Sequence, residues 1–132
     1  MKKRNHKVRI IVEKTNTGFS AFCRDYPVFT TGDNIPELMY NAFEAINFYF
    51  EDQNVEIAIE DLKFEIDFKQ LFQYYRVINA KFLAEKIGMN PTLLSQYVQG
   101  RKKPSDAQTG KILEGIHRIG RELSEILLIH KS

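Results

Sequence analysis

The sequence holds a single cysteine, Cys23, among 132 residues. One cysteine closes no internal disulfide, so no cross-link framework organises the fold, and a reducing compartment, the cytoplasm, is the expected setting. Its place in an apolar/polar alternation marks Cys23 as a buried small hydrophobe rather than a nucleophile. No apolar run approaches the roughly 20 residues that span a bilayer. The N-terminal stretch MKKRNHKVRIIVEK is basic, but its apolar part is short and no small-residue cleavage site follows, which argues against a signal peptide. The three histidines, His6, His117 and His130, are far apart and have no cysteine at metal-ligand spacing. Glycine-rich phosphate loops and nucleophile elbows are also missing, so neither a cofactor nor a metal is expected.

What is present is a soluble-protein composition, 43% hydrophobic, in a length that suits one domain or two small ones. The most informative stretch is NAKFLAEKIGMNPTLLSQYVQGRKKPS, residues 79–105. Asn79 can cap a helix whose Leu83, Ala84 and Ile87 share one face, and Gly88 supplies the positive φ that stops it. Asn90 is a second N-cap with Pro91 at the first helical position, and Leu94, Tyr97 and Val98 turn inward. Thr92, Ser95, Gln96 and Gln99 are then left outside. Two short helices crossing this closely need a small side chain at the contact, which Ala84 supplies. Spacing alone would equally describe a plain helical hairpin; as a helix-turn-helix, it would present its second helix to the DNA major groove.

Charge sharpens the choice. From Arg76 to Lys103 six cations (Arg76, Lys81, Lys86, Arg101, Lys102, Lys103) face one acid, Glu85, a net of +5. Arg101, Lys102 and Lys103 follow Gly100 directly, where they can neutralise phosphates. Gln96 is the expected base reader, because its amide can pair bidentately with adenine; Asn90, Thr92, Ser95 and Gln99 complete the expected DNA-contacting set. Residues 15–60 have the opposite character, with Arg24 against eight acids, a net of −7. Such a segment does not belong on DNA and is expected to face another partner.

Read in order, the front of the chain predicts a β-hairpin from Lys7–Lys14 and Phe19–Cys23 around Asn16-Thr17-Gly18, and a third strand over Val28–Thr31. Asn34 and Glu37 have capping-box spacing and open a helix striped by Leu38, Ala42, Ala45, Ile46 and Tyr49, broadened by Met39, Phe43 and Phe50. Leu62, Phe64, Ile66 and Phe68 alternate with Lys63, Glu65 and Asp67 as a fourth strand. The order βββαβ makes a small α+β domain over residues 1–68. Asp67 and Gln70 form a second capping box, opening a helix with Leu71, Phe72 and Tyr75, and no Gly/Ser-rich linker intervenes before an all-α domain over 69–132. Ser105 and Gln108 form a third, on a helix running toward Leu128. In it Ile112, Ile116, Ile119, Leu123 and Ile126 recur as a coiled-coil-like seam: the first half is expected to pack internally, the second to be a dimer surface. Gly110, Gly115 and Gly120 each weaken that helix by about 1 kcal/mol relative to alanine.

The string Leu83-Ala84-Glu85-Lys86-Ile87-Gly88, then Leu94-Ser95, then Gly100-Arg101-Lys102-Lys103-Pro104-Ser105 resembles the helix-turn-helix of Cro/phage-repressor and Xre-like regulators. Residues 18–52, with Tyr26-Pro27, the Thr31-Gly32-Asp33 corner and Glu37, Asn41, Ala42, Glu44, Ala45 and Ile46 in family order, resemble the N-terminal domain of HicB-type antitoxins. The glycine often found after the family's proline is Val28 here. These resemblances imply a partial RNase H-like domain followed by a helix-turn-helix, a HicA-type RNA-degrading toxin as partner, and autoregulation through operator DNA. They also imply a homo-dimer or higher oligomer, since one recognition helix buries too little for tight operator binding. The expected toxin-facing acids are Asp25, Asp33, Glu37, Glu44 and Asp52. A catalytic front domain is not expected, because RNase H-like chemistry needs carboxylates converging on divalent metal ions and these are scattered. The competing expectation is a plain helix-turn-helix regulator whose front domain senses a ligand or mediates assembly, which a polar pocket under the helix at 35–51 would favour.

Overall fold

The computed structural model describes residues 2–3 and 7–129 of the chain, which is α+β and divides into two compact units, Met1–Tyr74 and Tyr75–Ser132. In the first, strands β1 (Lys2–Lys3), β2 (Val8–Lys14), β3 (Phe19–Cys23) and β4 (Phe29–Gly32) precede helix α1 (Ile35–Tyr49). Strands β5 (Val55–Glu56) and β6 (Leu62–Glu65) and helix α2 (Phe68–Tyr74) follow. The main sheet has the order β4-β3-β2-β6, and β1 pairs separately with β5. β2/β3 and β3/β4 are antiparallel, whereas β6 lies parallel to β2, with Val8 opposite Leu62 and Ile10 opposite Phe64.

Period-two alternation puts Val8, Ile10 and Val12 of β2 and Phe19, Ala21 and Cys23 of β3 on the buried face. Against it α1 sets Leu38, Ala42 and Ile46, followed by Phe50, one helical turn apart each time. The expected stripe is therefore narrower at its C-terminal end, where Tyr49 is part-exposed and Phe48 points to solvent. Asn34 caps α1 by accepting from the Glu37 N–H at 2.9 Å, while the Glu37 carboxylate accepts from the Asp33 N–H at 3.4 Å, one residue before the cap.

Strand boundaries differ from the sequence expectation where local pattern competes with a helix start. β4 begins at Phe29 rather than Val28, and β6 ends at Glu65. Phe68 continues the alternation on paper but opens α2, because Asp67 accepts from the Gln70 N–H at 2.8 Å and caps a helix there. Gln70 then accepts from the Lys14 N–H at 2.7 Å, and Tyr74 packs edge-on against Phe19, so α2 goes with the sheet and the division falls after Tyr74. Tyr75, expected within that helix, lies outside it.

The second unit is α3 (Ala80–Ile87), α4 (Pro91–Val98) and α5 (Asp106–Ser124) around Leu83, Ala84, Met89, Leu94, Tyr97 and Ile112. Ser105 caps α5 by accepting from the Gln108 N–H at 3.1 Å. α5 packs on α3 at Gly115, where a β-carbon would collide with the Ile87 methyl group. Gly115 is thus a contact residue and more than a weak spot in the helix. The helix ends at Ser124, short of the expected Leu128, leaving Leu123 and Ile126 to Ile129 exposed.

Candidate functional site

Local chemistry positions the α3–α4 pair at both ends of each helix. Asn79 accepts from the Phe82 N–H at 3.1 Å, and Asn90 accepts from the Thr92 and Leu93 N–H groups at 2.8 and 3.3 Å. After α3, Gly88 is left-handed at φ +70°; the Met89 N–H reaches the Ala84 carbonyl at 2.9 Å and the Gly88 N–H the Glu85 carbonyl at 3.3 Å. After α4, Gly100 repeats the device at φ +77°, with the Arg101 N–H on the Gln96 carbonyl at 2.9 Å and the Gly100 N–H on the Tyr97 carbonyl at 3.1 Å. Both are Schellman closures, which satisfy the last carbonyls of a helix and turn the chain sharply out of it. Gly100's role was readable from its place before the cations, but its positive φ was not anticipated. Ala84 is fully buried at the crossing, as the close approach requires.

The expected DNA-contacting residues gather on and just beyond α4. Thr92, Gln99, Arg101, Lys102 and Lys103 are exposed, but Ser95 and Gln96 are half-buried rather than fully outside. The Gln99 amide donates to the Ser95 hydroxyl at 3.1 Å. Asn90 is occupied as a cap through its carbonyl oxygen, which leaves its amide nitrogen as the group able to donate outward. Among the described residues Arg101, Lys102 and Lys103 take part in no ion pair.

The five acids expected to face a toxin, Asp25, Asp33, Glu37, Glu44 and Asp52, are all exposed but do not form one cluster. Asp33 and Glu37 meet at the start of α1, where the Tyr74 hydroxyl also donates to the Asp33 carbonyl at 3.3 Å. Asp25 lies within electrostatic reach of Arg9, whose guanidinium is held above its ordinary pKa first by its hydrogen bonds to Glu65, at 2.8 and 3.2 Å, and to a lesser degree by Asp25. Glu44 and Asp52 share an open cleft of about 730 Å³ with Pro27, Val28, Phe29, Ala45, Phe48 and Tyr49. Tyr26, next to Pro27 of the lining, packs with its ring 5.6 Å from Tyr49 and 4.9 Å edge-on to Phe50.

No protein-family model and no curated protein matches the chain.

Among the described residues no group of three or more His, Cys, Asp or Glu side chains is placed to hold a metal ion, and no helix is long and apolar enough to cross a membrane. His117 is exposed on α5; His6 and His130 lie outside the described residues. The cleft went unseen in the sequence because its walls come from two segments, 27–29 and 44–52, that meet only in the fold. The one available signal was Phe48, an aromatic off the apolar stripe of α1.

Proposed function

We propose that the chain is a HicB-type antitoxin and transcriptional autorepressor: a partial RNase H-like front domain neutralises a HicA-type toxin, and a helix-turn-helix binds operator DNA. The observation that carries this reading is the α3–α4 pair, closed at both C-termini by left-handed glycines that deliver Arg101, Lys102 and Lys103 beside the end of α4. Thr92 and Gln96 on α4, with three cations leaving its end, support DNA recognition better than a plain hairpin. The β2-β3-β4-α1-β6 order supports the front-domain resemblance, and the −7 segment suits a toxin that must itself grip RNA. Dimerisation through Leu123 and Ile126 to Ile129 would pair two recognition helices roughly 34 Å apart on a palindrome. Ligand sensing has weaker support, since the face of α1 toward the sheet is filled by Leu38, Ala42 and Ile46.

Binding of the full chain to DNA from upstream of its own gene tests the back half, by fluorescence anisotropy over a salt series. Gln96→Ala should relax base preference at one position by about 1–3 kcal/mol. Lys102→Ala should weaken all sequences alike and lower the salt slope by about 1. Identical behaviour of the two variants refutes the assignment of α4 as reader. For the front half, the short reading frame beside the gene is induced alone and together with the full chain; growth arrest relieved by co-expression is expected, and a harmless neighbour refutes the antitoxin reading.

A further inference from the structure

β4 is an edge strand, with β3 on one side and no strand of the described residues on the other. The Cys23 N–H donates to the Val28 carbonyl at 2.9 Å, and Phe22 and Phe29 are the next pair in the register. Bonded and non-bonded pairs alternate along an antiparallel ladder, so Phe29 and Thr31 turn their N–H and C=O groups to the open edge. Asn41 covers the Thr31 carbonyl at 2.9 Å; Phe29 has no such cover among the described residues. The cleft holding Glu44 and Asp52 opens at this point, with Phe29 67% and Phe48 77% exposed and no cation in its lining.

We propose that this edge and cleft receive an extended, lysine- or arginine-bearing segment of a protein partner. The segment pairs with Phe29 as an added strand, which satisfies the open backbone groups. Alternate side chains enter the cleft, their aliphatic stems against Phe48 and Tyr49 and their cations on Glu44 and Asp52. Two carboxylates exclude a nucleic acid or an anionic membrane from the same place, and a cleft with a strand edge for one wall suits a chain segment better than a small molecule. The proposal deepens the antitoxin reading and rests on it for the partner's identity.

The test uses the full chain and the purified product of the neighbouring short reading frame, with affinity measured by calorimetry at low and high salt. Glu44→Lys/Asp52→Lys should weaken binding about tenfold or more at low salt. A control of equal charge change outside the cleft, Glu13→Lys/Glu56→Lys, should change it far less. Hydrogen exchange at the Phe29 amide of the unaltered chain should slow on complex formation. Cleft and control variants of equal affinity, with the Phe29 amide unprotected, overturn the docking site and leave the antitoxin reading standing. No binding by the unaltered chain overturns both.

Discussion

Replacing Gly115 by alanine is expected to destabilise the second unit, against the usual rule for helix interiors. In an open stretch of helix the change gains about 1 kcal/mol, because glycine sacrifices more backbone freedom on folding. At Gly115 the new β-carbon meets the Ile87 methyl of α3 head-on. Ile87 is β-branched and held near one χ1 rotamer in a helix, so the methyl cannot swing aside cheaply. Overpacking of this kind costs about 1–3 kcal/mol, enough to cancel or reverse the propensity gain. Gly110 and Gly120 lie in the same helix with open space where a β-carbon would go, and serve as internal controls. Gly110→Ala and Gly120→Ala should each raise stability while Gly115→Ala does not, a gap of about 1–3 kcal/mol. In a unit of this size that corresponds to roughly 4–8 °C of melting temperature per kcal/mol. Thermal unfolding of the full chain, followed by circular dichroism, measures it. Adding Ile87→Ala to Gly115→Ala should recover part of the loss, a positive coupling in a double-mutant cycle. If Gly115→Ala stabilises as much as Gly110→Ala, the close α3–α5 approach is refuted.

Gly88→Ala and Gly100→Ala place a β-carbon at φ +70° and +77°, and each should cost about 1–2 kcal/mol in thermal unfolding. Gly100→Ala should also weaken DNA binding more than its stability loss accounts for, because it re-aims Arg101 to Lys103. Asn47→Ala removes the side chain that accepts from the Ile57 N–H at 2.8 Å and donates to the Ile57 and Phe43 carbonyls at 3.0 and 3.1 Å. Leaving the Ile57 N–H and carbonyl without that partner, while the Phe43 carbonyl keeps its helical bond, should cost about 1–3 kcal/mol in urea unfolding and speed amide exchange at Ile57.

Helix starts were legible because capping is local: Asn34, Asn79, Asn90 and Ser105 each bond an N–H two or three residues ahead, within any short window of sequence. The buried positions of β2 and β3 were legible through their alternation. The alternation failed at Phe68, where the Asp67 cap overrode it. Contacts that join distant segments left no local trace. The parallel pairing of β6 with β2, the Gln70 bond to Lys14 and the Asn47 clasp on Ile57 are of this kind. The contact made by Gly115 left no trace for the same reason: helix propensity is a property of one helix, whereas its use here depends on Ile87 in another. In the candidate site, the places of Gln96 on α4 and of the cations just past its end were readable from spacing, though not the half-burial of Gln96. The cleft was not, because Glu44 and Asp52 acquire Phe29 as a neighbour only through the fold.

The pairing of β6 with β2 also sets a timetable for the newborn chain. The hairpin of β2 and β3 is complete once Cys23 has left the ribosome, but the far side of β2 waits for Leu62 to Glu65. At about 5–20 residues per second, the roughly 40 residues between them take on the order of 2–8 s to synthesise. Through that interval β2 offers an open edge of unpaired backbone N–H and C=O groups, and the hairpin's inner face has no cover until α1 emerges. A nascent chain is therefore most vulnerable to mispairing midway through its own translation, and a pause in codon usage near residues 24–60 would prolong the exposure that a fast stretch would shorten.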